Sequence, residues 1–247
     1  MLPICKEIFL EWNLTVHEGK TEHTHLYIAK KCDVDDKGEP LKHREEWRES
    51  VSLGSKLCSK ADILQKCNLG NAAFQKYKTV WLQGSKIKLK TKLKIYEAVV
   101  TSVMLYNCNS WAAPQHILHK LDVTQRKHLR QIIKMQWPKA VISNKALYKR
   151  CELTSLSERV RSARWRMLGH ILRSDDNTPA QLALHFTVNM DNEMVGRIGR
   201  HQTNLYRVIK NDLLARNIEL HNIDDLYFLK SLAFDRRLWK SMTKISV

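Results

Sequence analysis

The sequence predicts a mainly α-helical protein that begins with a small α/β segment. Glycine and proline are sparse, at 8 and 5 of 247 residues, which favours helices over sheets and turns. From about residue 61 onward the apolar residues recur with the period of a helix, whereas residues 1–58 contain short alternating runs typical of strands. We therefore expect a mixed α/β part at 1–58, a helical domain at 59–190 and a C-terminal helical extension at 191–247.

The N-terminal part contains two strand-like runs. Alternation at residues 23–28 suits one strand, and a second run at 47–57 carries Gly54 at a predicted turn. Residues 30–46 between them are charged and rich in turn-forming residues. This pattern predicts a small sheet element rather than a continuation of the helices.

Helical periodicity organises the rest of the chain. One helix is predicted to end before Gly84, a second to run from Leu89 to about residue 107, and a third to open at Pro114. Serine and threonine are preferred at N-caps, and proline is preferred at the first helical position. Further helices are therefore predicted to begin after Ser143, after Ser157, at Pro179 behind Thr178, and at about residues 203 and 224.

Positive charge is concentrated in two windows. The chain has 42 Lys and Arg against 25 Asp and Glu, a formal net charge of +17. Residues 56–94 contain ten lysines and one acid, and residues 120–173 contain fourteen basic residues and three acids. The local excesses of +9 and +11 together exceed the net charge of the whole chain, so the remainder is slightly acidic.

A charge excess of this size indicates a polyanionic partner. Nucleic acid is favoured over an anionic membrane surface, since no apolar stretch approaches the roughly 20 residues of a membrane span and no lipidation motif is present. The N-terminus resembles neither a signal peptide nor a transit sequence, so an intracellular, nuclear or cytoplasmic location is expected.

The candidate binding residues are the basic side chains of these windows and of the polar loop at 191–202. A lysine-rich helix is ordinarily a solvated surface, but here the acids that normally alternate with the lysines are missing. Cations at the start of a helix also oppose its dipole, which argues against a stabilising role. The predicted nucleic-acid-binding residues are Lys86, Lys88, Lys90, Lys92, Lys94, Arg126, Lys127, Arg130, Lys134, Arg164, Arg166, Arg173, Arg197 and Arg200.

Other chemistry has little support in the sequence. His23 and His25 share a strand face and His116 and His119 lie one helical turn apart, but neither pair has a third zinc ligand at suitable spacing. The six cysteines form no C-x-x-C pair, and no G-x-S-x-G nucleophile motif occurs. We predict no metal, cofactor or hydrolase site. The tryptophans at 81, 111 and 165 are predicted core residues, and Trp47 is kept as a candidate for base stacking.

Several segments, in order, resemble non-LTR (LINE-type) retrotransposon reverse transcriptases. Residues 12–26 (WNLTVHEGKTEHTHL) resemble the palm segment called motif D, and residues 47–55 (WRESVSLGS) resemble the primer-grip hairpin. Residues 96–106 (YEAVVTSVMLY), 125–130 (QRKHLR) and 164–173 (RWRMLGHILR) are similar to the thumb helices of the family. Residues 195–200 (VGRIGR) resemble its RGRP-like loop without the proline. The resemblance extends over nearly the whole chain.

The resemblance implies a thumb-like helical bundle behind a partial reverse-transcriptase palm at 1–58. It also implies sequence-nonspecific binding of RNA or an RNA–DNA duplex, and it matches Lys20 to the motif D lysine, a general acid toward pyrophosphate. Polymerisation needs Mg²⁺ held by an aspartate pair upstream of motif D. Asp35 and Asp36 instead follow Lys20 in a charged loop. We therefore expect neither polymerase nor endonuclease activity from this chain alone, and a missing palm portion of a longer polyprotein as a partner.

Two alternatives remain open at this point. The chain is alternatively a transposon remnant without a biochemical role, in which a missing palm leaves apolar surface exposed. The other alternative is a domesticated DNA-binding or interaction protein, for which a strong preference for duplex DNA of defined sequence is expected.

Overall fold

The computed structural model describes residues 2–16, 51–82, 87–135, 141–193 and 204–243. The chain forms two compact units, residues 1–58 and 59–247. The first contains helix α1 (Leu2–Glu11) and a hairpin of β1 (Val51–Ser52) and β2 (Ser55–Lys56). Gly54 lies in the turn of that hairpin with a φ of 80°, which confirms the predicted turn. The predicted strand at 23–28 and the connection at 30–46 lie outside the described residues.

The regular elements described in the second unit are all helices, which confirms the mainly α prediction. A π-helical turn (Glu97–Thr101) continues α4 into α5, and a short 3₁₀ turn follows. The helices are α2 (Ser59–Lys76), α3 (Lys78–Leu82), α4 (Leu89–Tyr96), α5 (Ser102–Met104), α6 (Gln115–Ile132), α7 (Asn144–Cys151), α8 (Leu156–Leu172), α9 (Pro179–Glu193), α10 (Leu205–Leu214), α11 (Ile223–Phe234) and α12 (Arg236–Thr243).

The predicted helix starts are mostly correct. Ser143 caps α7 by accepting the backbone N–H of residue 146, and Pro179 is the first residue of α9. The prediction of Ser157 as a cap is wrong, since Ser155 caps α8. The last predicted helix is in fact two helices. Asp235 separates α11 from α12 because its backbone is extended and its carboxylate accepts the first N–H groups of α12.

Helix α8 contributes to two hydrophobic cores, one at its N-terminal part and the other along the rest of its length. The first is built from α2 to α7 and the N-terminal part of α8, and the second from the rest of α8 with α9 to α12. Residues on both sides of the predicted boundary at residue 190 contribute to the second core. Trp165 and Trp239 pack across it with ring centroids 4.8 Å apart, and Trp239 Nε1 donates to the Trp165 carbonyl at 3.1 Å. Trp81, Trp111 and Trp165 are buried, as predicted.

Gly169 allows the close approach of α8 and α12. A Cβ at this position would overlap the indole ring of Trp239. Gly169→Ala is therefore expected to lower the free energy of unfolding by about 2 kcal/mol, measured by urea denaturation, because overpacking a rigid ring displaces it. Gly70→Ala, which would meet the flexible Met104 side chain, should cost less. Helix propensity alone would make the Gly169→Ala protein more stable than wild type. A measured increase in stability would therefore contradict this packing.

Candidate nucleic-acid interface

Helix α6 is held by a face that combines apolar and polar contacts. The apolar side chains at 117, 118, 121, 129 and 132 enter the first core. Three buried polar residues on the same side, Asp122, Gln125 and His128, bond to other elements. Because these positions repeat at helical spacing, the residues between them point away from the core.

Asp122 and Gln125 join α6 to the start of α8. The Asp122 carboxylate accepts the backbone N–H of Ser157 at 2.9 Å and its hydroxyl at 2.7 Å. Gln125 Oε1 accepts the backbone N–H of Leu156 at 3.2 Å, and its Nε2 donates to the carbonyl of Thr154 at 3.1 Å. A carboxylate at the first turn of a helix is favoured by the helix dipole. These bonds fix the rotation of α6 about its axis.

The outward side of α6 carries three of the predicted binding residues, and a fourth, Lys134, lies in the turn after the helix with a φ of 58°. Arg126 and Arg130 are half-buried, whereas Lys127 and Lys134 are exposed. Arg126 Nη2 donates to His119 Nε2 at 3.4 Å, and Arg130 Nη2 donates to Asn144 Oδ1 at 2.7 Å. The sequence-predicted cluster on this helix is thus brought together on one surface.

Helix α7 packs beside α6 and extends this surface. The Tyr148 hydroxyl donates to Gln125 Oε1 at 3.1 Å. Burial raises the pKa of Tyr148, as does the charge of Asp122, whereas a hydrogen bond to Arg126 lowers it. Arg126 therefore lies beside Tyr148, at the seam of the two helices. Lys145 and Lys149 are exposed one turn apart on α7.

We refer to six residues together as the α6–α7 basic face. Two of them, Lys145 and Lys149, were not among the predicted binding residues, although their four-residue spacing opposite the buried Leu147 and Cys151 was a usable signal. The face consists of Arg126, Lys127, Arg130, Lys134, Lys145 and Lys149.

The α6–α7 basic face has almost no acidic neighbours within its own helices. Between residues 115 and 152 the sequence has two acids, Asp122 and Glu152. Asp122 is buried against α8, and Glu152 lies at the C-terminal end of α7. Within the part of the chain that the structure describes, no salt bridge joins a residue of this face to a carboxylate. The positive potential of the face is therefore available to an external anion.

Two predicted binding residues are corrected by the structure. Lys92 is 5% exposed and its Nζ donates to the backbone carbonyl of Trp81 at 3.1 Å. Arg164 is 2% exposed, and its Nε and Nη2 donate to Asp212 Oδ2 at 3.0 and 2.7 Å. Both cations are used to satisfy interior oxygen atoms, so neither is exposed for direct contact with nucleic acid.

Most of the arginines on α8 and at its C-terminal end bond to other groups of the protein. Arg159 Nη1 pairs with Glu97 Oε1 at 2.9 Å, and Arg173 Nη1 donates to the carbonyl of Ala233 at 2.9 Å. Arg166 is exposed. At the start of α4 three of the predicted lysines, Lys88, Lys90 and Lys94, are also exposed. The predictions for Lys20, Trp47, Lys86, Arg197 and Arg200 fall outside the described residues.

Carboxylates and histidines do not gather in the described residues. No group of three or more His, Cys, Asp or Glu side chains there is placed to hold a metal ion. Asp175 and Asp225 accept nearby backbone N–H groups in a turn and a capping box, and Asp176 pairs with Lys230. No described helix has the length and apolar character needed to cross a membrane.

Comparison with known proteins adds no relative. No family model matches the chain, and neither the curated proteins nor the solved structures contain a significant match. The function is therefore inferred from the α6–α7 basic face and from the sequence resemblance described above.

Proposed function

We propose that the α6–α7 basic face binds the phosphate backbone of RNA or of an RNA–DNA duplex without reading the bases. The observation that carries this proposal is a group of six cations on two adjoining helices and in the turn after α6, with a single exposed acid at the far end of α7. Lysine and arginine bind phosphates by charge and hydrogen bonding, independently of sequence.

The composition of the face favours a duplex over a single strand. Proteins that bind single strands stack bases on exposed aromatic rings. Apart from its histidines, the aromatic residue of α6 and α7 is Tyr148, which is half-buried with its hydroxyl bonded to Gln125. A basic surface without a stacking platform suits a continuous phosphate backbone.

We further propose that the chain derives from a non-LTR retrotransposon reverse transcriptase, with residues 1–58 as partial palm and the helical unit as thumb. Such a polymerase requires Mg²⁺, and no group of described carboxylates is placed to hold it, since Asp225 caps a helix, Asp175 closes a turn, and Asp176 and Asp212 pair with cations. We therefore propose binding without polymerase or endonuclease activity for this chain alone.

The salt dependence of binding tests the proposed interface. If the six cations each neutralise a phosphate, the logarithm of the association constant should fall against the logarithm of salt concentration with a slope of about −5. Fluorescence anisotropy of a labelled RNA–DNA hybrid, titrated at several KCl concentrations, measures this slope. A slope near zero would overturn the proposal, and a strong preference for one DNA sequence would favour a domesticated DNA-binding protein.

A second candidate is a remnant without a biochemical role, favoured by the apolar surface of α1 and the residues after it. Ile8, Leu10, Trp12 and Leu14 are each at least 49% exposed. Exposed apolar surface of this kind suits a segment that a larger palm would cover. Circular dichroism during a thermal melt separates the two, since the binding protein should melt cooperatively and a remnant should not.

A further inference from the structure

The pairing of Arg164 with Asp212 leaves part of the guanidinium unused. Its Nε and Nη2 both donate to the same carboxylate oxygen, Asp212 Oδ2. Its Nη1 is buried and has no hydrogen-bond partner among the described residues. A buried charged donor without a partner is destabilising, so the hydrogen bonding of this guanidinium is incomplete.

A second arginine on the same helix is in a similar state. Arg161 precedes Arg164 by three residues on α8, so the two share a face of that helix. The Nε atom of Arg161 is also buried without a hydrogen-bond partner in the described part of the chain. Two unpaired guanidinium donors therefore lie on the side of α8 that bears Trp165 and faces α10.

A third arginine reaches this seam from the end of α10. Arg216 lies over the ring of Trp165, with its Cζ atom 4.5 Å from the ring centroid. Burial lowers the pKa of Arg216, the Asp212 carboxylate raises it, and the charge of Arg161 lowers it again. Arg216 is thus within electrostatic range of both Arg161 and Asp212, beside the Arg164–Asp212 pair.

We propose that Arg161, Arg164 and Arg216 form a binding site for a phosphate group. The cluster has two positive charges in excess of Asp212, and guanidinium groups bind the oxygens of a tetrahedral oxyanion through several N–H donors at once. Arg161 and Arg216, which are partly exposed, make the direct contacts, and the buried Arg164 holds the positive charge behind them. The site lies on other elements than the α6–α7 basic face and does not depend on the function proposed for that face.

Thermal unfolding in inorganic phosphate tests this site. At about ten times the dissociation constant, phosphate should raise the melting temperature by about 3 °C above that in KCl of equal ionic strength. The double variant Arg161→Gln, Arg216→Gln should lose this increase, and it leaves the Arg164–Asp212 pair intact so that the fold is kept. The control variant Arg236→Gln, Arg237→Gln removes the same charge from α12 and should keep the increase.

A further comparison identifies the source of the phosphate. If the site takes the end of a nucleic acid, a 5′-phosphorylated hybrid should bind the wild-type chain more tightly than the 5′-hydroxyl hybrid, and the double variant should bind both equally. If it takes free phosphate, the two hybrids bind alike while the phosphate-dependent stabilisation remains. No phosphate-specific rise in melting temperature, or an equal rise in the double variant, would overturn the proposal.

Discussion

Replacing Arg126, Lys127 and Arg130 together with glutamine is expected to weaken binding of an RNA–DNA hybrid by a few hundredfold at about 0.1 M monovalent salt. Each lost phosphate contact removes about 0.9 from the logarithmic salt slope, so the slope should change from about −5 to about −3. Glutamine keeps a long side chain of similar helix propensity, so α6 itself should persist. Anisotropy titrations of wild type and variant at matched salt concentrations give both quantities.

The control is a triple variant with the same change in net charge. Arg236→Gln, Arg237→Gln and Lys240→Gln neutralise three side chains on α12, which packs in the second core. This variant should bind within about threefold of wild type, because long-range charge effects are weak beyond the Debye length of about 10 Å. Equal weakening by the two triple variants would mean that binding follows total charge, and that the α6–α7 basic face has no special role.

The sequence predicts only the part of the α6–α7 basic face that lies on α6. Arg126, Lys127 and Arg130 are grouped by the periodicity of α6 alone, whereas Lys134 lies in the turn after the helix. Adding Lys145 and Lys149 requires the docking of α7 against α6, which depends on a hydrogen bond between Gln125 and Tyr148, 23 residues apart. Local patterns place residues on a helix face, whereas the neighbour of that face is set by tertiary contacts.

Burial of cations was not predictable for the same reason. Arg164 lies in a basic window, but its partner Asp212 is 48 residues further along the chain. Ser155 and Ser157 are equally suitable as N-caps by residue type. The Ser157 hydroxyl donates to Asp122, 35 residues away, and Ser155 is the cap. The Trp165–Trp239 contact likewise joins residues 74 positions apart, on either side of residue 190, and no local pattern predicts it. The composition of the chain changes near residue 190, but residues on both sides of it belong to the second core.

Lowering the pH from about 7 to about 4 is expected to reduce the free energy of unfolding by about 3 kcal/mol through His128 alone. His128 stacks on Phe74 with centroids 4.1 Å apart, and its Nε2 donates to Asn71 Oδ1 at 2.8 Å. Its Nδ1 accepts from the Tyr96 hydroxyl at 3.1 Å, and burial raises the pKa of Tyr96, so that hydroxyl stays a donor. The fold thus selects the neutral imidazole.

The sign of this pH dependence follows from the difference in the pKa of His128 between the folded and the unfolded chain. Burial lowers the pKa of His128 from 6.5 to about 4 in the folded chain. As the pH falls below about 6.5, the unfolded chain binds the proton first, so stability is lost progressively until the folded histidine also titrates near pH 4. Below that pH this group causes no further loss. Carboxylates titrate in the same range, so the effect of His128 must be isolated by comparison.

Urea unfolding of wild type and His128→Gln at about pH 7, 5.5 and 4.5 makes this comparison. The variant should be less stable at neutral pH, and its disadvantage should shrink as the pH falls, because only the wild type carries the titrating group. A difference between wild type and His128→Gln that does not vary with pH would contradict this account. His128 holds the inward side of α6 in the first core, so its protonation should also disturb the α6–α7 basic face. Nucleic-acid binding should therefore be measured near neutral pH.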